Sequence, residues 1–335
     1  MTEELELYQT TLGDYVTGLH WSKQDAIIAG CADGRVHIID PTRQEKISNV
    51  LAHKGGVLTL DVSPSACQFA SGGQDNTMKL CDCTGFLMKE IKMQHWVENI
   101  VWSPDGNFFA FTAGKVFVIC DKHGNEVTRS ESHASTVAAI TWCSDSKRIA
   151  SASYGGVRIY NLSNPGEFEQ LIWKNSLISL TWSPDQRFIM AGTQDNSIHV
   201  WKMDTAERRD MAMHGYASKA RAFAWDESGK KVATNCGLDI VIWDITRKNG
   251  PEETKPDVID AHSAKVTTLA YQRGENLLTS GDESGRVYFW VSTKGKFQFI
   301  TGCKLEGAVS SMRWNQKGSM LAVGTAEGVV SVLEY

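Results

Sequence analysis

The sequence predicts an all-β fold, an eight-bladed β-propeller of four-stranded antiparallel blades, and three observations predict it. The first is a recurrent phrase. Residues 100–111 read IVWSPDGNFFAF: an apolar run ending in Trp102, the tetrapeptide Ser103-Pro104-Asp105-Gly106, and a second apolar run. Pro presets one turn dihedral, Asp bonds back to the backbone and Gly accepts a positive φ, so the tetrapeptide is a tight turn between two strands. Trp182-Ser183-Pro184-Asp185 repeats it, and degenerate copies follow Trp21, Val62, Trp142, Trp225, Tyr271 and Trp314. The second is spacing. The eight anchors lie 41, 40, 40, 40, 43, 46 and 43 residues apart, and a period near forty with short β-rich runs marks a propeller or a related repeat array. The third is a strand left over at each end. The eighth unit reaches Tyr335 after three strands, while residues 4–10 (ELELYQT) alternate like a strand without a partner. Pairing them with residues 329–333 completes the last blade and closes the ring, which removes two open edges.

Each unit divides into strands a to d, counted from the centre outwards, with blades expected near 15–51, 57–91, 97–130, 137–172, 177–213, 220–260, 266–301 and 309–335 plus 4–10, in a single domain over 1–335. Strand a ends at the anchor. Three residues before the anchor stand Gly18, Thr59, Asn99, Ala139, Ser179, Ala222, Thr268 and Ser311. A column that is small throughout fits strands crowded round a narrow channel, since alternate side chains face opposite sides. Strand b follows the turn, and strand c is a β-branched run such as VHIID (36–40), IHVWK (198–202) or IVIWD (240–244). Strand d is more polar, as an outer edge should be. The longest irregular insert, residues 247–257 (RKNGPEETKPD), is polar and broken by Pro251 and Pro256, and reads as a solvated loop.

Bulk properties narrow the function. Hydrophobic residues make up 42%, ordinary for a globular domain, and a net charge of −5 argues against a broad nucleic-acid footprint. No apolar run is long enough to span a membrane, and the acidic start lacks the signal-peptide pattern, so a cytoplasmic or nuclear location is expected. The eight cysteines lack paired C-x-x-C spacing. In a reducing compartment they are expected as free thiols, holding neither a metal nor a disulfide.

With these residues in view, the chain resembles the WD-repeat β-propellers from about residue 4 to residue 335. The resemblance implies that a His in the d–a loop, a Ser or Thr in strand b, an Asp in the b–c turn and a Trp on strand c link each blade structurally. Unit two supplies His53, Ser71 and Asp75, with Cys81 in place of Trp. Unit seven supplies His262, Ser280 and Trp290, with Ser284 in place of Asp. Unit five keeps Asp195 and Trp201, with Trp173 at the His position, and only Trp243-Asp244 is a true Trp-Asp pair. Units three, four and six look shortened in the b–c turn and lack the Asp.

No phosphate-loop, zinc-protease or nucleophile-elbow motif occurs, and the nine histidines are scattered. The expectation is therefore a non-catalytic protein with no cofactor, and a scaffold or adaptor for a protein or peptide partner within a larger assembly. Its candidate surface is the face of the d–a and b–c loops, which carries Tyr15, Lys54, His95, Trp96, Tyr154, Trp173, Lys174, His214, Tyr216 and Lys219, with Arg221 early in strand a. Trp, Tyr and Arg dominate interface hot spots. Trp96 and Trp173 have a second reading as inward wedges between blades. Two other functions stay open. Tyr15, Trp96, Tyr154, Trp173 and Tyr216 would form an aromatic cage for a modified lysine or cationic ligand. The chain is also similar to single-domain bacterial WD-repeat proteins associated with metal-handling GTPases, which implies an accessory role beside such an enzyme. A ubiquitin-ligase receptor fits less well, because Arg247 falls one residue late for a W-D-x-R motif.

Overall fold

Turn chemistry sets the frame. In the computed structural model, which describes residues 5–205, 210–274, 277–293 and 296–335, the Ser103–Gly106 turn closes as its residues dictate. The Gly106 amide donates to the Ser103 carbonyl at 2.9 Å, the Asn107 amide donates to the Asp105 carboxylate at 3.0 Å, and Gly106 takes φ of 69°. The anchors end the inner strands: Val16–Trp21, Val57–Val62, Val97–Trp102, Ala139–Trp142, Phe223–Trp225, Val266–Tyr271 and Val309–Trp314, with Trp182 ending Asn164–Trp182. All described elements are strands, paired antiparallel.

The small column is a lacing row. Its side chains and their neighbours bond the backbone of the adjoining repeat: Ser179 Oγ donates to the Ala220 carbonyl at 2.7 Å, and Thr59 Oγ1 accepts from the Ile100 amide at 3.2 Å. Thr267 and Ser310 donate to the carbonyls of Val309 and Val16 at 2.6 and 2.7 Å. Two of the anchor tryptophans do likewise, Trp21 Nε1 donating to the Arg313 carbonyl at 2.8 Å and Trp142 Nε1 to the Val101 carbonyl at 3.1 Å. Bulk at this row would hold the repeats apart. Between repeats lie the apolar clusters, such as Ala70, Met78 and Leu80 against Val97, Trp102 and Phe109.

Among the described residues the sheets number seven, not the eight that periodicity predicts. Six have four strands and one has six. Repeats four and five share the large one because extended backbone runs on where other repeats break. Arg148–Asn161 pairs with Ala139–Trp142 through its first half and with Asn164–Trp182 through its second. Asn164–Trp182 in turn pairs through residues 177–182 with Phe188–Thr193. The segment Trp173-Lys174-Asn175-Ser176 holds neither Gly nor Pro to force a turn, and Ser176 still pairs with Tyr154. Counted as hydrogen-bonded sheets, the propeller has seven blades, one carrying two repeats.

Glu6–Thr11 lies antiparallel on Val329–Glu334, with Gln9 opposite Ser331 and Thr11 opposite Val329, so the chain's two ends share one four-stranded sheet. Residues 247–257 are mostly exposed, as a solvated loop should be, but the loop is tethered: Gly250 and Pro251 are buried, Gly250 lies over the Phe188 ring, and Arg187 donates to the Ile245 and Arg247 carbonyls at 2.7 and 3.1 Å. A further sequence expectation is corrected: the cysteines are not all free. Cys67 and Cys83 form a disulfide with Cα atoms 5.3 Å apart. The register that sets Gln68 opposite Asp82 places these two opposite each other one step further out, where the Cys83 amide donates to the Cys67 carbonyl at 3.1 Å.

Candidate functional site

Three repeats build the expected structural networks, each with its own chemistry. In repeat two His53 Nδ1 donates to Asp75 Oδ1 at 2.9 Å, and Ser71 Oγ donates to Nε2 at 2.9 Å. In repeat seven the carboxylate is Asp282, not a residue of the b–c turn: His262 Nδ1 donates to Asp282 at 2.7 Å, Ser280 Oγ donates to Nε2 at 2.7 Å, and Trp290 Nε1 donates to Ser280 Oγ at 2.8 Å. Ser284, read from the sequence as replacing the Asp, donates to Asp282 at 2.7 Å. In repeat four His133 Nδ1 donates to the Lys115 carbonyl at 3.0 Å and Nε2 accepts from Ser151 at 2.9 Å, with no carboxylate at all. Burial pushes the His133 imidazole down to about 4. Asp75, though partly desolvated, is held down at about 2 by bonds from His53, Thr77 and the Lys54 amide.

Repeat six reaches the same end with a tyrosine. Tyr216, expected on an exposed loop tip, is 7% exposed; its hydroxyl accepts from Trp243 Nε1 at 2.8 Å and lies 2.9 Å from Thr234 Oγ1. It stands in for the missing His and is not a surface residue. Asp244 of the Trp-Asp pair faces outwards and takes the Thr246 amide and hydroxyl at 2.8 and 2.6 Å. In repeat five Trp173 is half-buried and stacks on His199 at 3.9 Å between centroids, while Trp201 meets the other edge of that ring at 4.4 Å. Asp195 accepts from Thr193 and from Ser197, the latter at 3.1 Å. Trp173 thus packs inward on rings of its own repeat, beside the apolar cluster of repeats four and five.

The remaining candidates do not gather in one place. Tyr15, Lys219 and Arg221 line a cavity of about 710 Å3 together with Asn196, Lys265 and Glu283, residues of loops on four repeats around the channel mouth. His95 lies beside Lys92, Lys115 and Arg129 in a second cavity, and Lys54 beside Glu90 and Lys92 in a third. Trp96 and Tyr154 are 50% and 54% exposed; Lys174 and His214 are exposed as well. Of the five aromatics a cage would need, only Tyr15 lines the mouth.

The mouth is shaped by a residue the sequence reading passed over. Strand b of repeat six carries Asn235 where five of the other repeats have glycine (Gly30, Gly72, Gly192, Gly281, Gly324). Its Oδ1 accepts from the amides of Arg221 and Ala222, both at 2.9 Å, and its Nδ2 donates to the Lys219 carbonyl at 3.3 Å. Those amides are spent on a side chain and not on the ladder, so the inner strand shrinks to Phe223–Trp225. Arg221 is thereby released at the rim and also lines the channel of about 540 Å3 below, which holds Arg313 and the His20–Asp61 pair at 3.1 Å. The lone Asn in a glycine column was the signal available. Lys265 and Glu283 carried none beyond their place in loops.

Comparison with known proteins matches this geometry to a family. The family described as "WD domain, G-beta repeat" matches residues 6–40, 44–82, 124–161, 172–202 and 254–291. The serine-threonine kinase receptor-associated protein of Homo sapiens is 24% identical over 284 residues, covering 83% of this chain and 79% of that protein. Actin-interacting protein 1 of Drosophila melanogaster is 22% identical over 296 residues, 86% of this chain and 42% of its own length. Among solved structures, the computationally designed Ika8 protein aligns with a TM-score of 0.82 at 20% identity, over 99% of this chain and all of that one. Sqt1 of Saccharomyces cerevisiae aligns with a TM-score of 0.81 at 14% identity over the whole of both. Matched over more than half its length, and carrying the His–Ser–Asp and Trp–Tyr networks that tie strands and loops together within single repeats, this chain belongs to the WD domain, G-beta repeat family.

Proposed function

We propose that the protein is a non-catalytic interaction scaffold whose loop-rich face takes an acidic segment of a partner protein at the channel mouth. The observation that carries this reading is the mouth itself. Lys219, Arg221 and Lys265 converge on one cavity with a single acid, Glu283, and Tyr15, 41% exposed, at its edge. On a chain of net charge −5 that is a local reversal of sign. Positive potential focused in a cleft speeds encounter with an acidic segment, and an aromatic at the rim supplies apolar anchoring. The serine-threonine kinase receptor-associated protein and actin-interacting protein 1, by their names, associate with other proteins, which supports the same class of activity.

The test is affinity purification in parallel from cells expressing the wild type and an Arg221→Glu, Lys265→Glu double variant shown to melt normally. A partner recovered with the wild type is expected to be lost with the variant, and purified wild-type complex should weaken steeply with salt. An unchanged set of partners and a flat salt response would overturn the assignment of the mouth.

A further inference from the structure

The first repeat has a buried imidazole with nothing to bond. His37, on strand Arg35–Asp40, is 6% exposed, and neither Nδ1 nor Nε2 has a hydrogen-bond partner among the described residues. A buried polar group left unpaired costs on the order of 1–3 kcal/mol, so each such group asks for an explanation. Two other side chains share the spot. Cys31 is buried at the end of Ile27–Cys31, Asp33 follows in the b–c turn, and one ligand-capable atom from each of Cys31, Asp33 and His37 lies within 4.8 Å of the others.

Repeat two shows what this corner of a repeat otherwise holds. Val57 pairs with Gly73 and Val16 with Cys31, so Cys31 and Asp33 stand where repeat two has Gly73 and Asp75. There the Asp is bonded by His53, which arrives from the d–a loop, and that ring is also bonded by Ser71. In the first repeat the loop offers Leu12 and Gly13, and Ala29 stands where Ser71 would be. The imidazole comes from strand c in place of the loop, and a thiol replaces the glycine. Asp33 Oδ1 takes the Arg35 amide at 2.9 Å. Its Oδ2 lies 3.7 Å from Arg35 Nε, a long, half-exposed ion pair, and faces Gly13, where a Cβ would come within 3.1 Å. The hydrogen-bond network has been dismantled, and three donor types have been left together on one hairpin.

We propose that Cys31, Asp33 and His37 form a binding site for a single zinc-class divalent cation. Thiolate sulfur, imidazole nitrogen and carboxylate oxygen are the donors that borderline-soft Zn2+ takes in tetrahedral sites, and Ca2+ or Mg2+ would want oxygen alone. On binding, the Cys31 thiol gives its proton to solvent and a sulfur–metal bond forms, while His37 donates a lone pair from one ring nitrogen. Thiolate and carboxylate together cancel the ion's two positive charges, and the Arg35 guanidinium beside the carboxylate stays at the solvent-facing side of the corner. Tetrahedral edges of roughly 3.5 Å follow from metal–ligand bonds of about 2.0–2.3 Å, so the three atoms draw together by side-chain rotation on the hairpin. The fourth position is left to water from the exposed side of Asp33. This site lies on the first repeat's hairpin and is independent of the partner reading above.

The experiment is Co2+ and Zn2+ binding to the reduced, metal-stripped full-length protein. The expected result is one tight Co2+ per chain with a thiolate-to-cobalt charge-transfer band, displaced by one equivalent of Zn2+. Cys31→Ser should abolish the band, and Asp33→Asn and His37→Gln should each weaken Zn2+ at least tenfold in chelator competition. Asp33 is partly exposed, so Asp33→Asn keeps the test open if a core variant fails to fold. The proposal is overturned by the absence of a charge-transfer band in the wild type, by a band that survives Cys31→Ser, or by unchanged Zn2+ affinity in folded Asp33→Asn.

Discussion

Asp282 accepts bonds from the His262 ring, the Ser284 amide and hydroxyl and the Arg286 amide while fully buried, and no other acid among the described residues bonds that ring. Asp282→Ala would leave four donors without this acceptor, at a cost of about 2–4 kcal/mol, read as a lower urea midpoint at unchanged slope. The buried histidines make a second, pH-dependent prediction. Burial lowers the folded-state values of His37, His53, His133, His199 and His262. A folded value below the unfolded one means that the unfolded chain binds protons first, so stability is fully present above pH 6.5 and is lost as pH falls. For His133 the window runs from 6.5 down to about 4. Unfolding free energy should drop across it, and His133→Gln should flatten that drop. Single residues are also where the sequence was hardest to read. The repeat pattern located His262 and Ser280, but it put the acid two residues too late, because hydrogen bonding selects a carboxylate by reach and not by alignment column. Tyr216 was misread for the same reason. A hydroxyl on a longer side chain does the work of an imidazole, which no motif written in letters can show.

At the scale of the element, Asn235 decides where a strand begins. Replacing it with Ala removes the acceptor for two amides and a donor to Lys219, and is expected to cost about 1–3 kcal/mol. Hydrogen exchange should show the amides of Arg221 and Ala222 losing protection while Phe223–Trp225 keeps it. If those amides stay protected, the side chain is not what shortens the strand. The strand Asn164–Trp182 makes the opposite prediction: its amides around residue 176 should exchange more slowly than those of Gly55 and Gly56 in the d–a connection ahead of Val57–Val62, because the backbone at residue 176 is still paired. Most elements were legible in advance, since turn residues fix where strands start and the anchors fix where the inner ones end. The junction of repeats four and five was not. Absence of Gly and Pro between residues 173 and 176 permits a continuous strand without compelling one, and the pairing of Ser176 with Tyr154 is a long-range choice. The channel mouth was legible only as a set of loops. Which of eleven side chains converge depends on how far each repeat turns, and Trp96 and Tyr154 ended apart from Arg221 for that reason.

For the whole molecule the decisive contact is between its two ends. Glu6–Thr11 covers the outer edge of Val329–Glu334, and the closure is reinforced from both sides: Lys46 Nζ donates to the Thr11 carbonyl at 2.6 Å, while Asp25 of the first repeat takes Lys317 Nζ of the last at 2.7 Å. Leu7 and Tyr8 pack against the cluster formed by Trp21, Ile39 and Val330. Removing residues 1–11 therefore does two separable things. It deletes several backbone hydrogen bonds worth about 1 kcal/mol each and the burial of two apolar side chains, a loss of roughly 3–5 kcal/mol that should lower the melting temperature by roughly 4–7 °C. It also bares the ladder edge of Val329–Glu334, a run whose first five residues are buried in the closed ring, so the shortened protein should associate edge to edge. Calorimetry measures the first effect and light scattering the second. Supplying residues 1–11 as a peptide should reverse both, because the edge accepts a strand whether or not it is covalently attached. A shortened protein that melts at the wild-type temperature and stays monomeric would mean that the inner lacing of Ser310 to Val16 and of Trp21 to Arg313 holds the ring by itself.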